Sequence, residues 1–168
     1  MKYIIFILLL LNFQCVNSSK SPKYKKPLTF DNLNEIYTLN EDEREPKLIK
    51  EGFVAISKSL NGETFVKNHD TCKSEIIYFS RFDYAMEYYL QGTTYRDNYD
   101  NIKKEVETKG FLYLTTKRVD NDLFSEIYGD TINNKTGLLF SILPLSDSSA
   151  KCQDEQFRIR FFNKNLIN

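Results

Sequence analysis

Residues 156–162 read Gln-Phe-Arg-Ile-Arg-Phe-Phe, and up to position 161 apolar and polar side chains alternate. The apolar members are Phe157, Ile159 and Phe161. Successive side chains of a β-strand point to opposite faces of a sheet, so this alternation predicts a strand with one face on a core. Antiparallel sheets commonly have one packed and one solvated face, and we therefore expect an antiparallel sheet.

Five further segments have the β-branched and aromatic composition of strands. They are residues 52–59, 63–67, 75–79, 111–119 and 138–143. The first two flank Asn61-Gly62, a strong hairpin signal because both residues tolerate positive φ. The sequence thus predicts a sheet of about five or six strands.

Three segments have apolar residues at helical spacing, namely residues 31–39, 80–92 and 98–109. In the second, Ser80 and Asp83 suggest a variant capping box, and Gly92 ends the apolar stripe. The acidic residues 41–45, just before Pro46, suggest a solvated face or loop. Together these patterns predict an α+β domain with two or three short helices on one face of the sheet. No internal repeat is apparent.

The composition argues against several classes of function. Twenty-three Lys and Arg balance twenty-three Asp and Glu, so the chain has no basic field to hold nucleic acid. The six glycines are too scattered to form a nucleotide-binding loop, and the single histidine, His69, argues against a multi-histidine zinc site. We therefore predict no cofactor, no metal and no nucleic-acid partner.

The N-terminus has the pattern of an export signal. Met1 and Lys2 precede an unbroken apolar run at residues 3–11. About nine residues cover only roughly half of a bilayer core, which favours a signal peptide over a permanent transmembrane helix.

Cys15 directly follows this leader and resembles the lipid-modified cysteine of bacterial lipoproteins, although Asn12 and Gln14 depart from that family's motif. The resemblance implies a signal peptide at residues 1–14, a lipid anchor at Cys15 and a location on the cell envelope. The alternative is ordinary cleavage after Ser18, which would give a signal peptide at residues 1–18 and a freely secreted protein.

Residues 15–27 are polar and contain Lys20, Lys23, Lys25 and Lys26, so we interpret them as a tether, with a single domain at residues 28–168. Either processing route removes Cys15 from the domain and leaves Cys72 and Cys152. In an oxidising compartment we expect these two to form a disulfide. A free thiol, or His69 with Cys72 as a metal or nucleophile pair, are the alternatives.

Tyrosines are dense between residues 78 and 113, and Tyr95 and Tyr99 lie in a polar stretch with Arg96. We interpret these three residues as a possible exposed binding surface for a protein or glycan, or else as rings that cover the sheet edge. The acid pairs Asp97 with Asp100 and Asp120 with Asp122 fit solvated turns, and Phe124 and Ser125 break the calcium-loop pattern.

Three functions are compatible with these patterns. The first is an exported, lipid-anchored envelope protein with a non-enzymatic binding or structural role, whose partners are the membrane and a protein or glycan. The second is an extracytoplasmic hydrolase that uses an acid pair such as Asp97 and Asp100, with His69 as a further candidate. The third is a freely secreted interaction protein or inhibitor. No catalytic residue is assigned, because the sequence shows no activating constellation.

Overall fold

The computed structural model describes residues 26–70, 73–120, 123–132, 135–143 and 155–164. Within these ranges the chain forms three α-helices and eight β-strands. The helices are α1 (Phe30–Thr38), α2 (Glu41–Lys50) and α3 (Arg96–Thr108). The strands are β1 (Val54–Lys58), β2 (Gly62–Asp70), β3 (Lys73–Ser80), β4 (Met86–Gln91), β5 (Phe111–Asp120), β6 (Leu123–Asp130), β7 (Thr136–Leu143) and β8 (Gln156–Asn163).

All eight strands belong to one sheet with the order β1-β2-β3-β4-β8-β7-β6-β5, and every neighbouring pair is antiparallel. The predicted count of five or six strands is therefore wrong, although the class is still α+β. Strands β4 and β8 lie at the centre, and β1 and β5 form the edges.

The two missed strands have different causes. Residues 86–91 form β4 with Met86, Tyr88 and Leu90 buried in strict alternation, so the helix predicted over residues 80–92 is wrong. The apolar residues of this segment fit both the 3.6-residue period of a helix and the two-residue period of a strand. The segment forms a strand because it lies at the centre of the sheet, between β3 and β8. Strand β6 directly follows Asp122, in a segment to which we assigned no element.

The acidic residues before Pro46 are also helical. They form the first turns of α2, where the side chain of Asn40 caps the helix by accepting a hydrogen bond from Glu43 N at 3.0 Å. Acidic side chains stabilise a helix N-terminus because they face its positive dipole end.

The fold contains a topological repeat that the sequence patterns do not reveal. Helix α2 precedes the meander β1–β4, and α3 precedes the meander β5–β8. Gly52-Phe53 and Gly110-Phe111 follow the two helices, with φ of 92° and 86° at the glycines and both phenylalanines buried. Since β4 and β8 pair antiparallel, the two halves are related by an approximate two-fold axis.

The helices share one face of the sheet, as predicted. Leu33 and Ile36 of α1, Leu48 of α2, and Ile102 and Val106 of α3 are buried in the same cluster as Phe65, Ile77, Tyr88, Phe140, Phe157 and Phe161 of the strands. No helix among the described residues is long and apolar enough to span a membrane.

Candidate functional site

Two clefts lie at equivalent positions in the two halves. Each lies between the N-terminal part of a helix, the start of the second strand of the meander and the end of the third strand. The first cleft, of about 570 Å³, includes Tyr37, Glu41, Arg44, Glu63, Arg81 and Tyr84 in its lining. The second cleft, of about 380 Å³, includes Arg96, Tyr99, Lys103, Phe124 and Glu126.

Glu63 is the buried acid of the first cleft. Its side chain is 2% exposed, and its Oε1 lies 3.3 Å from Arg81 Nη2 and 3.7 Å from Lys58 Nζ. Its Oε2 is buried and has no hydrogen-bond partner. A buried polar group without a partner destabilises the folded state by about 1–3 kcal/mol, and we call this oxygen an open acceptor because it has no hydrogen-bond partner.

Arg44 supplies an open donor in the same cleft. Its guanidinium lies 4.0 Å from the centre of the Phe79 ring, and its Nη2 donates to Leu39 O at 3.0 Å. Its Nε is buried without a partner, since the carboxylates of Glu41 and Glu63 pair with Arg81 instead. Burial lowers the pKa of Arg44. The cleft thus contains one unsatisfied acceptor and one unsatisfied donor.

Tyr84 forms part of the wall. Its φ of 48° lies in the left-handed region, which is unusual for a bulky residue, and the residue as a whole is 71% exposed. The Tyr37 hydroxyl donates to Tyr84 O at 3.5 Å. Strained backbone of this kind clusters at ligand sites, where the surrounding structure holds it in place.

The second cleft has its described charges paired. Lys103 Nζ lies 2.5 Å from Glu126 Oε2, and Arg96 lies 3.4 Å from carboxylate oxygens of both Asp100 and Glu155. The Tyr99 ring packs at 5.0 Å from the Phe157 ring. Among its described lining residues, the second cleft therefore contains no buried donor or acceptor that lacks a partner.

The structure separates the three residues predicted as a binding surface. Tyr95 and Tyr99 are buried, because the start of α3 packs both rings onto the sheet, whereas Arg96 is exposed. The premise that both rings are exposed is therefore wrong. Arg96 and Tyr99 do line the second cleft, so a binding role for them stays a prediction. Cys15, Cys72 and Cys152 lie outside the described residues.

A second polar constellation, the Glu75 cluster, lies inside the core. Glu75 is fully buried; its Oε1 lies 2.8 Å from Lys67 Nζ and 2.7 Å from His69 Nε2. Its Oε2 accepts from Tyr88 Oη at 2.5 Å and from Leu28 N at 3.4 Å. Because Lys67 also donates to Lys26 O at 3.3 Å, the cluster fastens residues 26–28 to the sheet.

The Glu75 cluster does not form an open reaction site. His69 lines neither of the two clefts, and its contact with Glu75 assigns it to the core network. Among the described residues, no three metal-ligating side chains come together. The pairing of His69 with Cys72 is not tested, since Cys72 lies outside the described residues.

Tyrosine burial gives a prediction about alkaline stability. Burial, with help from Glu87, raises the pKa of Tyr89 to about 12, and burial beside Glu75 raises the pKa of Tyr88 well above its ordinary value. Unfolded tyrosines ionise near pH 10. Neutral Tyr88 and Tyr89 therefore stabilise the folded state fully below about pH 10. This contribution to the free energy of unfolding should be lost as the pH rises through the pKa values that the two tyrosines have in the folded protein.

We expect urea-denaturation midpoints to fall steadily above about pH 10, while tyrosinate absorbance of the folded protein appears in at least two steps. The urea-unfolded chain is the control and should titrate in one step. A folded protein whose eleven tyrosines all ionise together near the unfolded value would contradict the prediction.

Sequence patterns did not identify Glu63, Arg44 or Tyr84 as site residues. One signal was available: Glu63, Phe65 and Lys67 share a strand face, so alternation places charged residues beside a core position. Arg44 and Tyr84 come from other elements and carry no comparable signal. No family model, curated protein or solved structure matches this chain. Function therefore rests on the chemistry of the clefts.

Proposed function

We propose that this protein is an exported, lipid-anchored envelope protein that acts by binding through the first cleft. The observation that carries this proposal is the open acceptor of Glu63 beside the open donor of Arg44 in a cleft of about 570 Å³. Ligand sites are concave and place a few polar groups on otherwise apolar walls. The exposed ring of Tyr84 supplies such a wall.

The position of the first cleft suits an anchored protein. The chain enters the domain at residues 26–28, beside Lys67 and Glu75. Glu63 precedes Lys67 by four residues on β2, about 14 Å along an extended strand. The entry of the chain and the first cleft thus lie about 14 Å apart along the same strand, so a tether that ends at residue 27 would join the domain away from the cleft.

No specific observation favours the hydrolase alternative. Asp100 pairs with Arg96, and His69 pairs with Glu75, so neither is held as a free acid or base beside an open cleft. A general base must come within hydrogen-bonding reach of the proton that it removes.

The anchor is tested on the protein purified from its native host. We expect the mature chain to begin at Cys15, to carry an added diacylglyceryl mass and to partition into detergent. The variant Cys15→Ser should lose the lipid mass and remain folded, since Cys15 lies before the domain. A mature chain that begins at Ser19 would establish the secreted alternative, and a cytosolic chain that retains Met1 would refute export.

A further inference from the structure

The charges that line the first cleft balance. Glu41 and Glu63 are opposed by Arg44 and Arg81, with Arg81 placed between the two acids. An anionic ligand would satisfy Arg44 but bring a negative charge to the buried Glu63. A cationic ligand would satisfy Glu63 but approach Arg44. Since burying an unpaired charge is strongly unfavourable, the cleft disfavours both kinds of ion.

The hydrogen-bonding chemistry of a hydroxyl group matches both open atoms. It can donate to Glu63 Oε2 and accept from Arg44 Nε, because a hydroxyl carries one donor and two acceptor lone pairs. Hydrogen bonds to ionised partners are also stronger than those between neutral groups. Glu41 and Arg81, at the exposed side of the cleft, offer one more acceptor and donor for further hydroxyls. The lining therefore favours a ligand that is neutral and bears several hydroxyls.

The Tyr84 ring adds an apolar platform. An aromatic face carries a negative quadrupole and a large apolar area, which suits the C–H face of a sugar ring. The left-handed φ of Tyr84 and the bond from Tyr37 to its carbonyl define the position of this residue at the cleft.

From these features we infer that the first cleft binds a glycan, with sugar hydroxyls on Glu63 and Arg44 and a sugar ring against Tyr84. The inference deepens the proposed binding function and depends on the same cleft. Its volume of about 570 Å³ is within the usual range of small-ligand sites, roughly 300–1,000 Å³. The sugar can belong to a free saccharide or to the end of a polymer, since both present the same hydroxyls.

The test is isothermal titration of the detergent-solubilised full chain. The neutral probes are maltotriose and N,N′-diacetylchitobiose, and the charged probes are methylguanidinium and acetate, each of which carries a single charge. Insoluble chitin and starch, used in pull-down, distinguish polymer ends from free saccharides. We expect a neutral saccharide to bind and both charged probes to fail.

Tyr84→Gly is the decisive variant, and we expect it to weaken saccharide binding at least about tenfold. Glycine adopts positive φ without strain, so the thermal midpoint of this variant should stay unchanged or rise. Phe82→Ala is the matched control: Phe82 is 76% exposed in the same loop but does not line the cleft. Arg44→Lys keeps the charge, removes the Nε donor and should also weaken binding.

Each outcome decides between the alternatives. If neither neutral saccharide nor either polymer binds at millimolar probe, the glycan inference is wrong. If methylguanidinium or acetate binds instead and Tyr84→Gly abolishes that binding, the ligand class is wrong while the binding function stands. If saccharides bind but the native protein carries no lipid, the inference stands and the anchored location fails.

Discussion

Replacement of Glu75 with glutamine is expected to lower the free energy of unfolding by about 3–5 kcal/mol, which is the range observed when one partner of a buried ion pair is removed. Glu75 is fully buried and opposes Lys67, which is only 6% exposed. Glutamine would leave the Lys67 ammonium buried without a countercharge. It would also turn one acceptor oxygen into a donor that faces the donors of the cluster.

The effect should extend to the chain entry. Glu75 Oε2 holds Leu28 N, and Lys67 Nζ holds Lys26 O, so loss of the carboxylate removes or weakens both contacts. We therefore expect faster protease cleavage next to Lys26 in the Glu75→Gln variant than in the parent protein. Segments with few buried contacts open locally before the whole domain unfolds.

Urea denaturation followed by circular dichroism measures the loss of stability. Glu35→Gln is the matched control, because Glu35 is half exposed and forms only a surface ion pair with Lys47; we expect a change of less than about 1 kcal/mol. The double variant Glu75→Gln with Lys67→Met should lose less than the sum of the single changes, since it removes the stranded charge. A loss below about 1 kcal/mol in Glu75→Gln would show that the cluster is not a stabilising ion pair.

Most of the sheet could be predicted because its strands carry local signals. The alternation in residues 156–162 corresponds to strand β8, and β1 and β2 do form the predicted hairpin. The details of its turn differ from the prediction, because Gly62 is the first residue of β2 and neither Asn61 nor Gly62 has a positive φ. Strand β4 could not be distinguished locally, since Ala85, Met86 and Leu90 fit a helical stripe as well as a strand. Only the pairing of β4 with both β3 and β8 resolves that ambiguity, and this pairing is a long-range property.

The candidate site was less predictable for the same reason. Glu63, Arg44 and Tyr84 come from β2, α2 and the loop before β4, so no window of sequence contains the constellation. The expectation that Tyr95 and Tyr99 are exposed was wrong, because a polar local sequence does not report which residues at the start of α3 pack on the sheet. Tyr99 shares the packed face of α3 with Ile102 and Val106. Burial there is set by the helix period, not by the polarity of the neighbouring residues.

Strands β3 and β8 both begin at the same end of the sheet, and each of the two domain cysteines precedes one of these strands in the sequence. Ser74 of β3 pairs with Gln91 of β4, which pairs with Gln156 of β8. Two strand spacings separate β3 from β8 by about 10 Å. Cys72 precedes Ser74 by two residues and Cys152 precedes Gln156 by four, and a chain can span about 3.3–3.6 Å per residue. A disulfide needs Cα atoms about 4.4–6.8 Å apart, which these segments are long enough to reach.

We therefore expect native protein to resist alkylation until it is reduced and then to take up two labels at Cys72 and Cys152, with a loss of roughly 4 kcal/mol of stability. The loss follows because a bridge across about 80 residues restricts the unfolded chain far more than the folded one. The variant Cys72→Ser with Cys152→Ser should show the same lower stability with or without reductant, which separates loss of the bridge from side effects of the reagent. Two labels on unreduced native protein, or equal stability before and after reduction, would show that Cys72 and Cys152 do not form a stabilising disulfide.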